Sequence, residues 1–299
     1  MDEPKTVVTN LDLQKVTWAP TFVDAAKKSG WNIADTPPPN SGLNVFIGDE
    51  IDPRHATPAL GLYFLAACEA LTSEHTSMLL TGATIVPSSQ TLRQVAQAFP
   101  DIDPSRLHIL GFPLDLDRLA TFALEWKKKE PNSVIFLGET RPEKQPDLEV
   151  NIAKKLIDLG YTCYHSSPTK VSIRSQLEDI GVQVIEDIQG EDYLKLLARM
   201  QYVVCTSSHE SLYVSGIEGT ALGAQVILPN NPDAGYMDWC VRENLYNPDD
   251  VQSAVERIQA TREDKNGEPL GAIQQYDRAH FFNRIIELAD RLRSSPRNL

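Results

Sequence analysis

Short apolar runs alternate along this chain with longer stretches whose apolar positions recur at helical spacing. In the first half, TVVTN (6–10), WNIA (31–34), LNVFIGD (43–49), ATIVPS (83–88) and RLHILGF (106–112) read as strands. Helical stretches are predicted near Thr21–Ser29, Pro58–Leu80 and Gln90–Phe99. The segment from Gly82 to Asp115 has the shape of a strand–helix–strand unit, with Ser88 or Ser89 capping its helix. A break follows at KKKEPN (127–132). Beyond it, SVIFLGE (133–139), YTCYHSS (161–167), VQVIEDI (182–188), YVVCTS (202–207) and QVILPN (225–230) read as strands. They alternate with helices at Leu148–Leu159, Ser172–Ile180 and Asp192–Met200, and a small-residue helix precedes the last of them. A long final helix is predicted from about Gln274 to Arg293. Such alternation points to α/β architecture with mostly parallel sheets.

Composition narrows the class. The 299 residues suffice for two cores, and 41% hydrophobic with 23% charged residues is ordinary for a globular enzyme. No run approaches the roughly 18 apolar residues of a membrane span, and the polar start MDEPKTVV does not resemble a secretory signal. Cys68, Cys163, Cys205 and Cys240 lack C-x-x-C spacing and read as buried free thiols, which makes a cytoplasmic location the expectation. A net charge of −13 opposes duplex nucleic acid or an anionic membrane as partner. The dense cationic run Lys127–Lys128–Lys129 reads as a solvated helix end. His55, His75, His108, His165, His209 and His280 are scattered, without the spacing of a metal site.

The most informative segment is TSSHESLYVSGIEGTALGAQVILPN (206–230), in which Glu210 and Glu218 stand eight positions apart. Glu210 falls in a loop at the carboxyl end of a strand and Glu218 near the start of the following helix. Open α/β sheets bind ligands at that edge, where helix N-terminal N–H groups favour phosphate. Taken singly, Glu210 reads equally as an exposed loop acid and Glu218 as a first-turn acid favoured by the helix dipole.

This segment resembles the Glu-x7-Glu signature of retaining glycosyltransferases of the GT-B fold, particularly family 4. The resemblance covers Gly82 to about Asn247 and is slight over residues 1–80. It implies two Rossmann-like domains with a donor cleft between them and an abbreviated N-terminal domain. The domains would be an acceptor-side domain over 1–125, a donor-binding domain over 126–275 and a C-terminal helix over 276–299 packing back on the first.

The resemblance also implies roles. Glu210 would orient the transferred sugar and support its cationic transition state, beside His209, while the amides of Ser211, Leu212, Tyr213 and Val214 line the phosphates. Tyr213 stands where the family commonly has glycine. Glu218 would accept the ribose hydroxyls. In GETRPEKQPD (138–147), Lys144 falls at the family lysine that clamps the diphosphate, six residues after Gly138. Arg141 is displaced from the usual arginine position, which Glu139 occupies. Ile188 and its neighbouring main chain would border the nucleobase.

The implied activity is retaining transfer of a hexose or pentose from a nucleotide-diphosphate sugar to an acceptor hydroxyl. It would need neither a metal nor a cofactor beyond that co-substrate. A nucleotide-sugar 2-epimerase-like isomerase and a non-catalytic sugar-nucleotide-binding subunit are the alternatives. A glycan, lipid-linked sugar or small metabolite is the expected acceptor. A modified nucleobase of DNA or tRNA is a further option, because SSHE with the later LPNN and LYNPDD is similar to transferases that mannosylate tRNA queuosine.

Overall fold

The computed structural model describes residues 4–9, 19–36, 38, 42–47, 61–64, 83–126, 128–261 and 270–294. The chain divides into two compact units, residues 1–115 with 274–299, and residues 116–273.

The first unit is built on β1 (Lys5–Thr9), α1 (Ala19–Lys28), β2 (Asn32–Ala34), β3 (Leu43–Ile47), β4 (Gly61–Phe64), β5 (Ala83–Val86), α2 (Ser89–Ala98) and β6 (Leu107–Ile109). Its six strands are parallel, in the order β2-β1-β3-β4-β5-β6. Strands covered on both faces lose the alternation of polar and apolar positions, and every residue of β3 and β5 is accordingly buried. Ser88 caps α2, accepting from the Thr91 amide at 3.2 Å.

One element departs from the sequence reading. Residues 61–64, inside the predicted helix Pro58–Leu80, form β4, paired with β3 and β5. The run GLYFLAACEAL is long and apolar enough to suit a helix, and periodicity cannot tell such a run from a buried strand. The other residues of that predicted helix, with His55, His75 and Cys68, lie outside the described residues.

The second unit comprises α3 (Leu116–Glu125), β7 (Ser133–Leu137), α4 (Pro146–Asp158), β8 (Thr162–Ser166), α5 (Arg174–Asp179), β9 (Gln183–Ile185), α6 (Gly190–Arg199), β10 (Tyr202–Val204), α7 (Val214–Ala221), β11 (Gln225–Pro229), β12 (Leu245–Tyr246) and α8 (Val251–Thr261). Its parallel order is β12-β11-β10-β7-β8-β9, the arrangement of a dinucleotide-binding fold. The core gathers Phe136, Ile152, Leu156, Cys163, Tyr202, Val204, Ile227 and Tyr246. Helix α3 falls within the stretch 1–125 assigned above to the first domain, yet it packs in the second unit, against α6 and α7.

After residue 273 the chain returns to the first unit as α9 (Arg278–Ser294). Phe281 and Phe282 of α9 meet Phe22 of α1 at ring separations of 5.7 and 5.9 Å, and Trp31 approaches Phe282 at 5.1 Å. The two Phe22 contacts are edge-to-face, and pairs of that kind contribute about 0.5–1.5 kcal/mol each beyond the area they bury. Cys163 and Cys205 are buried free thiols, and Cys240 is half-buried. Among the described residues no helix is long and apolar enough to cross a membrane.

Candidate active site

In the second unit the strand order reverses between β7 and β10, which lie side by side with Val204 opposite Phe136. Connections from these two strands leave to opposite sides of the sheet, opening a crevice at their carboxyl ends. Two loops border it.

The loop after β7 begins at Gly138, whose φ of +115° lies in a region that side-chain-bearing residues rarely adopt. The chain then makes a helical turn over Pro142–Lys144 and enters α4 through Gln145, also at positive φ. The loop after β10 runs from Cys205 to Tyr213. Hydrogen bonds lace the two together: Thr206 Oγ1 donates to the Lys144 carbonyl at 2.6 Å, and the Ser208 amide donates to that of Glu143 at 2.8 Å. Asn231 Nδ2 holds the Ser208 carbonyl at 2.6 Å, and the Gly235 amide holds that of Glu210 at 2.7 Å.

Across this laced edge, Lys144 Nζ meets Glu210 Oε1 at 2.5 Å. Their side chains are 20% and 11% exposed, so the pair is partly withdrawn from water and screened less than a surface pair. Two of the residues singled out from sequence, 66 positions apart, are thus in direct contact.

The other candidates are distributed around them. Arg141 is exposed and directs Nε to Glu139 and Glu143, 3.1 Å from each. His209 is exposed, with Nδ1 3.2 Å from Ser208 Oγ. Ser211 is half-buried, and the carbonyl of buried Leu212 accepts from Trp239 Nε1 at 2.9 Å. Val214 opens α7, whose N-terminal end has no side-chain cap. Ile188 is half-buried, between two backbone reversals at Asp187 (φ +57°) and Gly190 (φ +60°).

Tyr213 precedes α7 at φ +61°, the left-handed region that ordinarily favours glycine. Its ring lies back on the first turn of α7. A Cβ added to Gly216 would come within 2.4 Å of the Tyr213 ring and 2.9 Å of Trp239, so this ring requires glycine at 216. Tyr213 therefore keeps a glycine-like backbone and packs its ring against the helix.

Glu218 lies in the second turn of α7. Its Oε2 accepts from the Tyr193 hydroxyl of α6 at 3.0 Å. Burial pushes the Glu218 carboxyl up to about 7, against an opposing pull from the Tyr193 hydrogen bond. The Tyr193 phenol itself is held well above the usual range by burial, so it remains a proton donor.

The site also contains residues that sequence reasoning missed. Tyr193 is hidden within the amphipathic pattern of α6. Thr206 and Ser208 form an unremarkable polar strand end, and Asn231 lies a full helix and strand away from the carbonyl it holds. Away from the pair, buried His165 of β8 meets Glu149 of α4 through Nδ1 at 2.6 Å. Among the described residues no group of three or more His, Cys, Asp or Glu is placed to hold a metal ion.

No family model and no curated protein matches this sequence. Solved structures do. A glycosyltransferase from Rickettsia africae ESF-5 superposes with a TM-score of 0.71 at 10% identity, covering 98% of this chain and 99% of that one. Anabaena Alr3699/HepE, solved in complex with UDP and glucose, gives 0.69 at 12% identity, covering 96% and 100%. AviGT4, a glycosyltransferase involved in avilamycin A biosynthesis, gives 0.68 at 15% identity over 98% of each chain. With two six-stranded parallel sheets in two Rossmann-like units, the chain has the GT-B glycosyltransferase fold.

Proposed function

We propose that this protein is a retaining glycosyltransferase that moves a sugar from a nucleotide-diphosphate sugar to an acceptor hydroxyl. The observation that carries the proposal is the Lys144–Glu210 pair at the switch point of the second sheet. A departing diphosphate gathers negative charge, and a fixed cation with nearby amide donors lowers the barrier to its release. Lys144 supplies the cation, and the uncapped start of α7 supplies the amides. On donor binding Lys144 exchanges Glu210 for phosphate oxygens. Glu210 is then free to accept sugar hydroxyls and to stabilise positive charge at the anomeric carbon. Glu218 takes the ribose hydroxyls, and the turns around Ile188 border the base. Arg141 reaches the diphosphate only by leaving Glu139 and Glu143.

UDP-glucose is the first donor to test, because the superposable HepE was solved with UDP-glucose as well as with UDP and glucose. A glycan, lipid-linked sugar or small metabolite is the favoured class of acceptor, and the reaction requires neither a metal nor a further cofactor. Incubation of the protein with a panel of UDP-, GDP-, ADP- and dTDP-sugars and mixed acceptors should give transfer or slow donor hydrolysis, with activity surviving a chelator. The anomeric proton of the product should report the configuration of the donor. An inverted linkage overturns the retaining assignment, and an epimerised donor without transfer overturns the whole reading.

A further inference from the structure

Tyr193 belongs to none of the motifs in the sequence, yet it is the partner that the structure gives to Glu218. It stands in the first turn of α6, after β9, and Glu218 stands in the second turn of α7, after β10. Both therefore lie toward the carboxyl ends of the strands, on the rim that carries Lys144 and Glu210. A carboxylate can accept hydrogen bonds at both oxygens. With Oε2 held by a phenol on a neighbouring helix, rotation of the group is restrained and Oε1 is left to accept. A vicinal diol, whose two hydroxyls converge on one carboxylate, is recognised best by a group whose orientation is already set.

We infer that Tyr193 is a positioning residue for nucleoside recognition, its hydroxyl locking the Glu218 carboxylate in the orientation that accepts the two hydroxyls of a ribose. The inference rests on the donor-site reading above and adds to it a residue and a pH dependence. Burial raises the Glu218 carboxyl to about 7, and the Tyr193 hydroxyl opposes that rise. The groups around Glu218 leave this phenol as its main modulator. Helix α3, also packed on α7, carries Asp117, Glu125 and Arg118, the last paired with Glu191 at 3.5 Å. On α6, Lys195 is paired with Asp192 at 3.2 Å. Strand β11 has no ionisable side chain, Glu218 is the one titratable group of α7 itself, and the Tyr213 phenol packed on the first turn of α7 is held well above its usual range by burial. Removing the phenolic hydroxyl should let the carboxyl rise further and protonate at neutral pH, where a protonated acid accepts poorly from a diol.

The test is isothermal titration of the wild type, Tyr193→Phe and Glu218→Gln with UDP and 2′,3′-dideoxy-UDP between pH 6 and 9. GDP and ADP are run in parallel, and either that binds is compared with its own dideoxy form; dTDP, which has no 2′ hydroxyl, serves as the control without the diol. At pH 7 the Tyr193→Phe variant should bind UDP five- to tenfold more weakly and dideoxy-UDP equally well. Its UDP affinity should also recover at higher pH than that of the wild type. Equal losses for both nucleotides with an unshifted pH profile, or no loss at all, overturn the inference. If Glu218→Gln weakens UDP binding while Tyr193→Phe does not, the donor-site reading stands and this inference alone fails. If the wild type binds none of the four nucleotides, both fail.

Discussion

The two glutamates of the Glu-x7-Glu segment sit in opposite electrostatic settings. Glu210 faces a cation at 2.5 Å on the loop after β10, whereas Glu218 faces a neutral phenol at 3.0 Å in the second turn of α7. A carboxylate opposite an ammonium is bound by charge, and a ligand that takes the cation must replace that interaction. A carboxylate opposite a phenol has only a hydrogen bond to set against burial, and it titrates close to neutrality. The same residue type at eight positions' separation thus has an ionic partner in one place and a neutral hydrogen-bond donor in the other.

Removing Glu210 should break this comparison most severely. In Glu210→Gln we expect turnover to fall about 100-fold, roughly 2.7 kcal/mol, with free UDP bound nearly as well as by the wild type. Steady-state kinetics beside UDP titration checks it, and a large loss of UDP affinity with intact turnover would reverse the roles of the two glutamates. Lys144→Ala should cost donor affinity or turnover at least tenfold, about 1.4 kcal/mol. It should also lower unfolding stability by about 1–3 kcal/mol, because Glu210 is left partly buried without its partner. Unchanged kinetics and an unchanged urea midpoint would make this lysine a bystander.

Glu218→Gln sharpens the contrast through pH. An amide accepts from hydroxyls less strongly than a carboxylate, and the loss in UDP binding should be about 1–3 kcal/mol above pH 7. In the wild type the folded carboxyl titrates near 7 against 4.5 as the ordinary value. The folded protein therefore binds the proton more readily than the unfolded chain between those pH values, and the stability from this group falls as pH rises through that window. The variant should lack this decline, gaining roughly 3 kcal/mol relative to the wild type between pH 4.5 and 7.5. Urea unfolding at the two pH values measures it. A constant difference between the two proteins would show that Glu218 does not titrate there.

The smallest effect is expected at Arg141. Its guanidinium is 55% exposed and shared between Glu139 and Glu143. Arg141→Ala should change stability by under about 0.5 kcal/mol. It should change kcat/KM less than threefold, about 0.65 kcal/mol. A tenfold loss would instead mean that the guanidinium swings onto the diphosphate.

Much of this arrangement was legible in the chain. Alternating apolar runs and helical periods announced parallel α/β architecture, and β7 to β11 formed where their short apolar runs fell. Ser88 was readable as a helix cap because a cap is a local interaction. Glu210 and Glu218 stood out because a strand, a loop and a helix in sequence order put them at a sheet edge. β4 was not legible as a strand, because a continuous apolar run lacks the period that separates strand from helix. Nor was Tyr193, whose role depends on a partner 25 residues away.

What the sequence determined by itself was local: which segments are strands and helices, and which polar residues end them, since patterning and capping act within a few residues. Tertiary structure decided which of those ends meet. The strand order brought the loop after β7 against the loop after β10, joining Lys144 to Glu210 across 66 residues, and set α6 beside α7 so that a phenol reached Glu218. It also turned the Tyr213 ring onto Gly216. Such pairings depend on strand order and on the burial that accompanies it, and burial also sets the carboxyl of Glu218 near neutrality. No single segment contains that information, because proximity and loss of solvent arise only when the sheet is assembled.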